Sequence, residues 1–171
     1  MPGRMRAGQA RFADMMRRAK RDKDASRTAV TILRADSKVS QALERALGKA
    51  GFTLPQFNVL MELASSPHGA LPLYELNSRL ISTPPSTSWL SKRMEEAGLV
   101  TKCPDSDDSR VVILRLTERG WTALEEAAPL VFEAEKRLLG SYSKDELRRL
   151  AVLLAPLVAD CHTESFHRDS V

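Results

Sequence analysis

The chain has 171 residues, of which 43% are hydrophobic and 5% are aromatic. This length and composition are typical of a globular protein with an apolar core and exclude a disordered chain. No apolar run approaches the roughly 18 residues of a membrane span, and residues 1–27 lack the apolar segment of a secretory signal. The two cysteines, Cys103 and Cys161, lie far apart in the sequence, which fits a reducing compartment rather than a disulfide framework. We therefore expect a cytoplasmic protein without membrane contact.

The net charge of +4 is unevenly distributed along the chain. Residues 1–27 contain nine basic and three acidic residues, a balance of +6. The remaining 144 residues contain 17 basic and 19 acidic residues, a balance of −2. The basic character therefore belongs to the N-terminal segment and does not by itself indicate that the folded body binds nucleic acid.

Residues 83–98 carry the signals of one helix with a defined start and end. The Thr83 side chain can accept from the first free amide groups, Pro84 has the φ that a first helical residue needs, and Gly98 suits the C-terminal turn. One stripe of this helix is apolar and is predicted to face a core. That stripe comprises Leu90, Met94 and Ala97.

The opposite face of this helix carries short hydroxyl side chains first and long cations after them. Its residues are Ser86, Ser88, Trp89, Lys92 and Arg93. Short side chains near a helix N-terminus allow a close approach to base edges, and cations further along can contact phosphates. The pattern favours a DNA-recognition helix, and the alternative is an ordinary solvated surface helix.

The segment after this helix alternates β-prone and polar stretches. Residues 99–103 and 111–116 favour strands, residues 104–110 are polar and rich in turn formers, and Thr117 begins another helix. Helix, strand, polar hairpin tip, strand and helix in this order are the plan of a winged helix-turn-helix.

The sequence resembles the MarR family of bacterial transcriptional regulators. The resemblance runs without gaps from about Leu54 to Gly120, and the order and spacing of its motifs make it specific. The motifs are Leu54-Pro55-Gln56-Phe57, Glu75-Leu76, Pro85-Ser86-Thr87, Glu95-Glu96-x-Gly98-Leu99-Val100, Asp108-x-Arg110 and Leu116-Thr117-x-x-Gly120.

The resemblance implies a mainly α fold with a small two-stranded β-wing, a winged helix-turn-helix with N- and C-terminal dimerisation helices. Residues 53–116 are expected to form the DNA-binding module, and residues 28–52 and 117–162 the helical dimerisation module. Residues 1–27 are then a basic N-terminal extension, and residues 163–171 a C-terminal tail.

Hydrophobic spacing and capping signals predict the individual helices. The predicted helices cover residues 30–49, a segment opened by a Thr53–Gln56 capping box, residues 72–80, Thr117 to about Leu139, and a segment opened by a Ser143–Glu146 capping box. The helix after Thr53 is predicted to bury Phe57, Leu60, Met61 and Ala64. The helix over residues 30–49 and the two C-terminal helices have more apolar surface than one small domain can cover, which predicts a homodimer.

The resemblance also implies the function. Members of the family are sequence-specific DNA-binding regulators, usually repressors, and many release DNA when a small, often aromatic, acid binds. The expected partners are thus double-stranded DNA bound at a pseudo-palindromic operator, a second copy of the chain and such an effector. A winged helix used only for protein contacts is the alternative, favoured by the −2 balance of the body and by Trp89. An enzyme is not expected, because the sequence has no Gly-rich phosphate loop, nucleophile elbow or paired histidine and carboxylate motif.

The predicted DNA-binding residues are Pro85, Ser86, Ser88, Trp89, Lys92, Arg93 and Arg110. Pro85 and Ser86 match contacting positions of the family, and Arg110 matches a wing arginine that enters the minor groove. Trp89 stands where many relatives carry an arginine for base contact. An indole can pack on a thymine methyl or donate to a phosphate, or Trp89 belongs to the core. The alternative for Arg110 is a solvated turn arginine paired with a neighbouring aspartate. Asp108 is interpreted as a partner or a turn former rather than a DNA contact.

Residues 1–27 fit three roles. Their apolar side chains recur at helical spacing, at Met5, Phe12, Met15, Met16 and Ala19. A helix packed across the dimer surface is favoured over an arm that contacts DNA. A helix lying on a membrane surface is less favoured, because the apolar face is thin.

No metal site or cofactor is expected. Cys161, His162, Glu164 and His167 cluster near the C-terminus, but their spacing is not His-Glu-x-x-His. Cys103 lies on a predicted wing strand, where it could sense oxidants or act as a small apolar filler.

Overall fold

The computed structural model describes residues 9–16, 22–80, 87–106 and 108–159. The chain divides into two compact units, residues 1–40 and residues 41–171. In the first unit, residues 9–16 are helical (α1), and Phe12 and Met15 on this helix are exposed. Met5 and Ala19, which also carried the helical pattern, lie outside the described residues.

Helix α2 spans Lys23–Leu47 and begins earlier than the predicted residue 30. The Asp22 carboxylate accepts from the amide groups of Asp24 and Ala25 at 2.8 and 3.1 Å. These bonds satisfy free amides of the first turn, so the helix starts in a polar stretch that has no apolar repeat. A 3-10 turn over Gly48–Ala50 follows, and Gly51 with φ +76° ends it.

The rest of the chain follows the order of a winged helix-turn-helix, which confirms the predicted fold. The helices are α3 (Leu54–Ala64), α4 (Leu73–Arg79), α5 (Thr87–Glu96), α6 (Glu118–Leu139) and α7 (Lys144–Ala159), and the strands are β1 (Ala70–Pro72), β2 (Val100–Pro104) and β3 (Val112–Leu116). A 3-10 turn over Pro67–Gly69 precedes β1. None of the helices within the described ranges combines the length and apolar character needed to cross a bilayer.

The strands form one antiparallel sheet in the order β1-β3-β2. β2 and β3 are the two predicted wing strands, paired with Val100 opposite Leu116. β1 is an additional strand, which places Ala70 opposite Arg115. Its three residues are too few to show an alternating pattern, and the preceding turn residues predicted only a loop.

An apolar core joins α3, α4, α5, the sheet and α6. Its largest fully buried apolar side chains are Leu47, Val59, Leu60, Leu63, Leu76, Met94, Val100 and Leu114. Phe57 is also buried, as predicted, whereas Met61 is 37% exposed, contrary to the prediction. The inward stripe of α3 passes through Val59 and Leu63 instead, so Met61 lies at its edge.

Both predicted capping boxes are confirmed. The Gln56 backbone amide donates to Thr53 Oγ1 at 3.4 Å, and the Thr53 backbone amide donates to the side-chain oxygen Oε1 of Gln56 at 2.9 Å. At the start of α7, the Ser143 amide donates to Glu146 Oε2 at 2.8 Å, and the Glu146 amide donates to Ser143 Oγ at 3.2 Å. These reciprocal bonds fix where α3 and α7 begin.

The two C-terminal helices carry many large apolar side chains on the surface of the single chain. These are Phe132, Leu139, Leu150, Val152, Leu153, Leu157 and Val158. Large apolar side chains exposed in this number on a folded chain are typical of surfaces that a partner covers.

Candidate DNA-binding interface

Helix α5 has a buried face and an exposed face. Leu90 and Met94 are 5% and 0% exposed, as their spacing predicted. The prediction for Ala97 is wrong, because Ala97 lies in the turn after the helix and is exposed. Ser91 is buried instead, with its hydroxyl donating to the Ser88 carbonyl at 3.1 Å. A hydroxyl that is hydrogen-bonded within its own helix can be buried at little cost. Because Ser91 is polar, the apolar spacing of the sequence did not predict its burial.

The exposed face of α5 brings together four of the predicted DNA-binding residues. They are Ser88, Trp89, Lys92 and Arg93. A short hydroxyl therefore precedes an aromatic ring and two cations on the side of α5 that points away from the core. The predicted helix start at Thr83 and Pro84 and the predicted contacts Pro85 and Ser86 lie outside the described residues.

Trp89 is 58% exposed, so its interpretation as a core residue is wrong. The guanidinium carbon of Arg93, one turn further along α5, lies 4.8 Å from the centroid of the Trp89 ring system. This separation is within the range of a cation–π interaction. The two side chains therefore form one surface feature of α5 rather than two independent groups.

The acidic residues at the end of α5 have different roles. Glu96 lies 3.9 Å from Lys92 Nζ, but both side chains are largely exposed, so this pair contributes little to stability. Glu95 connects α5 to the wing. One of its oxygens accepts from the Lys102 amide at 3.2 Å, and the other lies 3.5 Å from Lys102 Nζ. Helix α5 and β2 are therefore held together at this corner.

Arg110 lies exposed in the turn between β2 and β3. Its amide donates to the Asp108 carboxylate at 3.0 Å, and the Asp108 amide donates to the Asp105 carboxylate at 3.2 Å. The Asp108 carbonyl also accepts from the Val111 amide at 2.9 Å. Asp108 is thus a turn former, as predicted, and the backbone that presents Arg110 is shaped without using the guanidinium.

The turn after α5 packs closely against the start of α6. Gly98 adopts φ +71°, and its carbonyl accepts from Thr117 Oγ1 at 2.6 Å. A Cβ on Gly120 would lie 2.1 Å from the Leu99 carbonyl oxygen, so only glycine allows this approach. The sequence motif contained Thr117 and Gly120, but nothing in their spacing revealed the contact with the turn after α5.

A cavity of about 350 Å³ lies between the end of α2 and the last turns of α6. Three of its lining residues are basic, namely Arg45, Lys49 and Arg137. The others are Ala42, Ala46, Ala134 and Leu138. Basic side chains around an apolar surface favour a small organic anion. Sequence reasoning missed this site because its residues come from two helices that are distant in the chain.

The prediction that the chain has no metal site concerns residues inside the described range and residues outside it. Within that range, no group of three or more His, Cys, Asp or Glu side chains is placed to hold a metal ion. The cluster of Cys161, His162, Glu164 and His167 lies outside it. Cys103 is half-buried on β2, with Sγ 3.9 Å from the Ile113 carbonyl oxygen.

A helix-turn-helix followed by an antiparallel wing, with an aromatic and basic face on the second helix and an arginine at the wing tip, defines a winged-helix DNA-binding protein. Comparisons with known proteins identify its family. The model of the MarR family matches residues 52–112. The chain is 31% identical to the HTH-type transcriptional regulator FarR of Neisseria gonorrhoeae over 111 residues, 65% of this chain and 75% of FarR.

Two further proteins extend the comparison. The HTH-type transcriptional repressor IacR of Pseudomonas putida is 27% identical over 123 residues, 72% of each chain. The fold is similar to that of Sco3205, a MarR family transcriptional regulator from Streptomyces coelicolor in complex with DNA. That match has a TM-score of 0.72 at 22% identity and covers 88% of this chain and 96% of Sco3205. The chain belongs to the MarR family. It is a DNA-binding transcriptional regulator, and a role restricted to protein contacts is not favoured.

Proposed function

We propose that the protein is a repressor that binds a pseudo-palindromic operator as a homodimer. The observation that carries this proposal is the division of α5 into a buried apolar face and an exposed aromatic and basic face. In a two-fold dimer, two copies of α5 would enter successive major grooves about one helical turn apart, and each wing would reach a flanking minor groove. The proposed contacts are Pro85, Ser86, Ser88, Trp89, Lys92, Arg93 and Arg110.

The apolar surface of α7 supports the homodimer. Leu150, Leu153 and Leu157 are 45%, 75% and 58% exposed on the single chain. Their spacing places them along one stripe of the helix, which suits packing against another helix. We assign residues 28–52 and 117–162 to dimerisation and residues 53–116 to DNA binding. The basic segment 1–27 and the tail 163–171 flank these modules.

The cavity between α2 and α6 supports a small aromatic acid as effector. Arg45, Lys49 and Arg137 supply positive charge for a carboxylate, and the alanines and Leu138 supply apolar surface for a ring. The start of α6 is attached to the turn that follows α5, because the Thr117 hydroxyl donates to the Gly98 carbonyl. An acid bound near the far end of α6 could therefore change the position of the recognition helix.

Binding-site selection with the full chain, followed by footprinting of DNA beside its own gene, tests the operator. The expected result is a pseudo-palindrome with both half-sites protected. Lys92→Gln should reduce the salt slope of binding by roughly one, as the loss of one phosphate contact predicts. Lys144→Gln, at the start of α7, is the matched control and should leave the slope unchanged. Equal affinity for selected and random duplexes would contradict the proposal.

Benzoate is a suitable probe for the effector cavity. It should raise the melting temperature by preferential binding to the folded state and weaken binding to the selected duplex. The double substitution Arg45→Gln, Arg137→Gln should abolish both effects. Lys136→Gln is the control, because Lys136 is exposed on α6 but does not line the cavity. A double variant that responds like the wild type would exclude the cavity as the effector site.

A further inference from the structure

Trp89 and Arg93 form a preformed aromatic and basic surface on α5. The Arg93 guanidinium carbon lies 4.8 Å from the indole centroid, while 58% of Trp89 remains exposed. The positions are four residues apart, so both side chains project from the same face of α5. Attraction between the cation and the ring restricts both side chains before DNA binds, which reduces the ordering that binding requires.

We propose that Trp89, positioned by Arg93, reads the C5-methyl group of a thymine in the major groove. The inference rests on the proposed function, in which the exposed face of α5 enters that groove. An indole has one N–H donor and no acceptor, so it cannot make the bidentate hydrogen bonds that identify guanine or adenine. Thymine alone among the four bases presents an apolar group at the major-groove edge. An exposed ring on this face is therefore matched to thymine.

Arg93 acts on base recognition through Trp89. A guanidinium stacked on an indole is less available for the bidentate pairing with guanine that an unstacked arginine makes. Its charge still attracts neighbouring phosphates. Removing Arg93 should therefore change two separate quantities, the salt slope of binding and the preference for a methylated base.

Replacement of single thymidines tests the methyl contact directly. The probe is the duplex selected by the wild-type full chain, synthesised with deoxyuridine in place of each dT in turn. Uracil keeps the pairing edge of thymine and lacks only the methyl group. The wild type should bind about fourfold more weakly at one position in each half-site, the effect of burying one methyl-sized group. Trp89→Ala should bind the dT and dU duplexes equally at that position.

A second base extends the test. At the same position, the wild type should bind 5-methyl-dC more tightly than dC, since the added methyl group occupies the place of the thymine methyl. Trp89→Ala should not distinguish the two. A methyl preference that persists in Trp89→Ala would assign the contact to another side chain and overturn the proposal.

Trp89→Phe and Arg93→Ala separate the possible roles of the pair. Trp89→Phe keeps an aromatic ring but removes the N–H, so it should retain the preference for dT over dU. If Trp89 instead donates to a phosphate, the wild type should show no such preference, and Trp89→Phe should weaken binding to both duplexes alike. Arg93→Ala should reduce the ratio of the two affinities; an unchanged ratio would overturn the positioning role of Arg93.

The outcomes distinguish this inference from the proposed function. A wild-type protein that binds its selected duplex equally well with dU at every thymine position overturns the methyl contact but leaves specific operator binding intact. Failure to select any preferred duplex contradicts the proposed function and, with it, the inference.

Discussion

The Thr117 hydroxyl donates to the carbonyl oxygen of Gly98 at 2.6 Å, which attaches the first turn of α6 to the end of α5. The Thr117 hydroxyl oxygen in turn accepts from the Gly120 amide at 3.0 Å, so this one side chain both caps α6 and closes the turn after α5. The Thr117 amide also donates to the Leu99 carbonyl at 3.2 Å. A displacement of α6 from this turn would break the bonds to Gly98 and Leu99.

Thr117→Val should lower the free energy of unfolding by about 1–2 kcal/mol, because it removes a helix cap and leaves the Gly98 carbonyl without this donor. Valine keeps the shape of threonine, so packing is nearly unchanged. Thr122→Val is the matched control, since Thr122 is exposed and its hydroxyl donates to the Glu118 carbonyl within the same helix at 3.1 Å. Urea unfolding at a fixed protein concentration measures both variants. Equal losses would show that the link to Gly98 adds nothing.

Gly120→Ala should also destabilise the protein, although alanine is the better helix former by about 1 kcal/mol. The new Cβ would lie 2.1 Å from the Leu99 carbonyl oxygen and 3.0 Å from Leu116 Cδ2, so the backbone must move. Overpacking of this kind costs about 1–3 kcal/mol. Gly48→Ala is the control, because a Cβ there meets no atom within 4 Å. Thermal unfolding should show a lower melting temperature for Gly120→Ala only.

Much of this fold could be predicted from the sequence because its signals act over a few residues. The capping boxes at Thr53 and Ser143 and the glycine at position 98 each mark an element boundary within three or four positions. The apolar period of α5 likewise identified Leu90 and Met94 as inward residues. The exposed face of α5 followed from the same period, so the candidate DNA contacts on it could be proposed before the structure.

The remaining features depend on contacts between distant segments. β1 forms only because Ala70 and its neighbours reach the edge of β3, opposite Arg115. The basic cavity requires α2 and α6 to pack so that Arg45 and Arg137 lie beside the same space. The stacking of Arg93 on Trp89 could have been predicted from the sequence, because a spacing of four residues on a helix permits this contact.

Glu146 provides a test of pH dependence. Hydrogen bonds from the Ser143 amide and then from its hydroxyl lower the pKa of Glu146 from the ordinary value of 4.5. The pKa of Glu146 in the folded protein is lower than its ordinary value of 4.5, which applies to the unfolded chain. The capping contribution of Glu146 to stability is therefore fully present above pH 4.5 and is lost as the pH falls through the lowered pKa. The amount by which the melting temperature of the wild type exceeds that of Glu146→Gln should therefore be constant above pH 4.5 and decrease below it.

Ser143→Ala should raise the pKa of Glu146 only in part, because the larger cause of its lowering is the bond from the Ser143 backbone amide, which alanine keeps. An NMR titration of the Glu146 side-chain carboxyl measures the change. A pKa in Ser143→Ala that returns fully to the ordinary value would show that the hydroxyl, rather than the amide, controls this carboxylate.

The proposed homodimer predicts a specific effect of charge on α7. Leu153 is 75% exposed on the single chain, so Leu153→Glu should not disturb the chain's own core. It should weaken the dimer at least tenfold, a loss of about 1.4 kcal/mol, because a carboxylate would be buried without a partner. Sedimentation at micromolar concentration should then show the 19.0 kDa species. Leu153→Met is the control and should remain dimeric; a wild type that sediments only as a monomer would refute the dimer itself.

Arg110→Ala should weaken operator binding by about 1–3 kcal/mol without altering the fold. The wing turn is held by the Asp108 carboxylate and carbonyl, which bond the amides of Arg110 and Val111, so loss of the guanidinium leaves its backbone in place. The loss should be greatest for operators with A·T-rich flanks, since a narrow minor groove has the stronger negative potential. Arg148→Ala, on the exposed surface of α7, is the control. Titrations with matched operators that differ only in A·T or G·C flanks measure the effect. If Arg110→Ala weakens binding to both operators equally, Arg110 contacts a phosphate and does not read groove width.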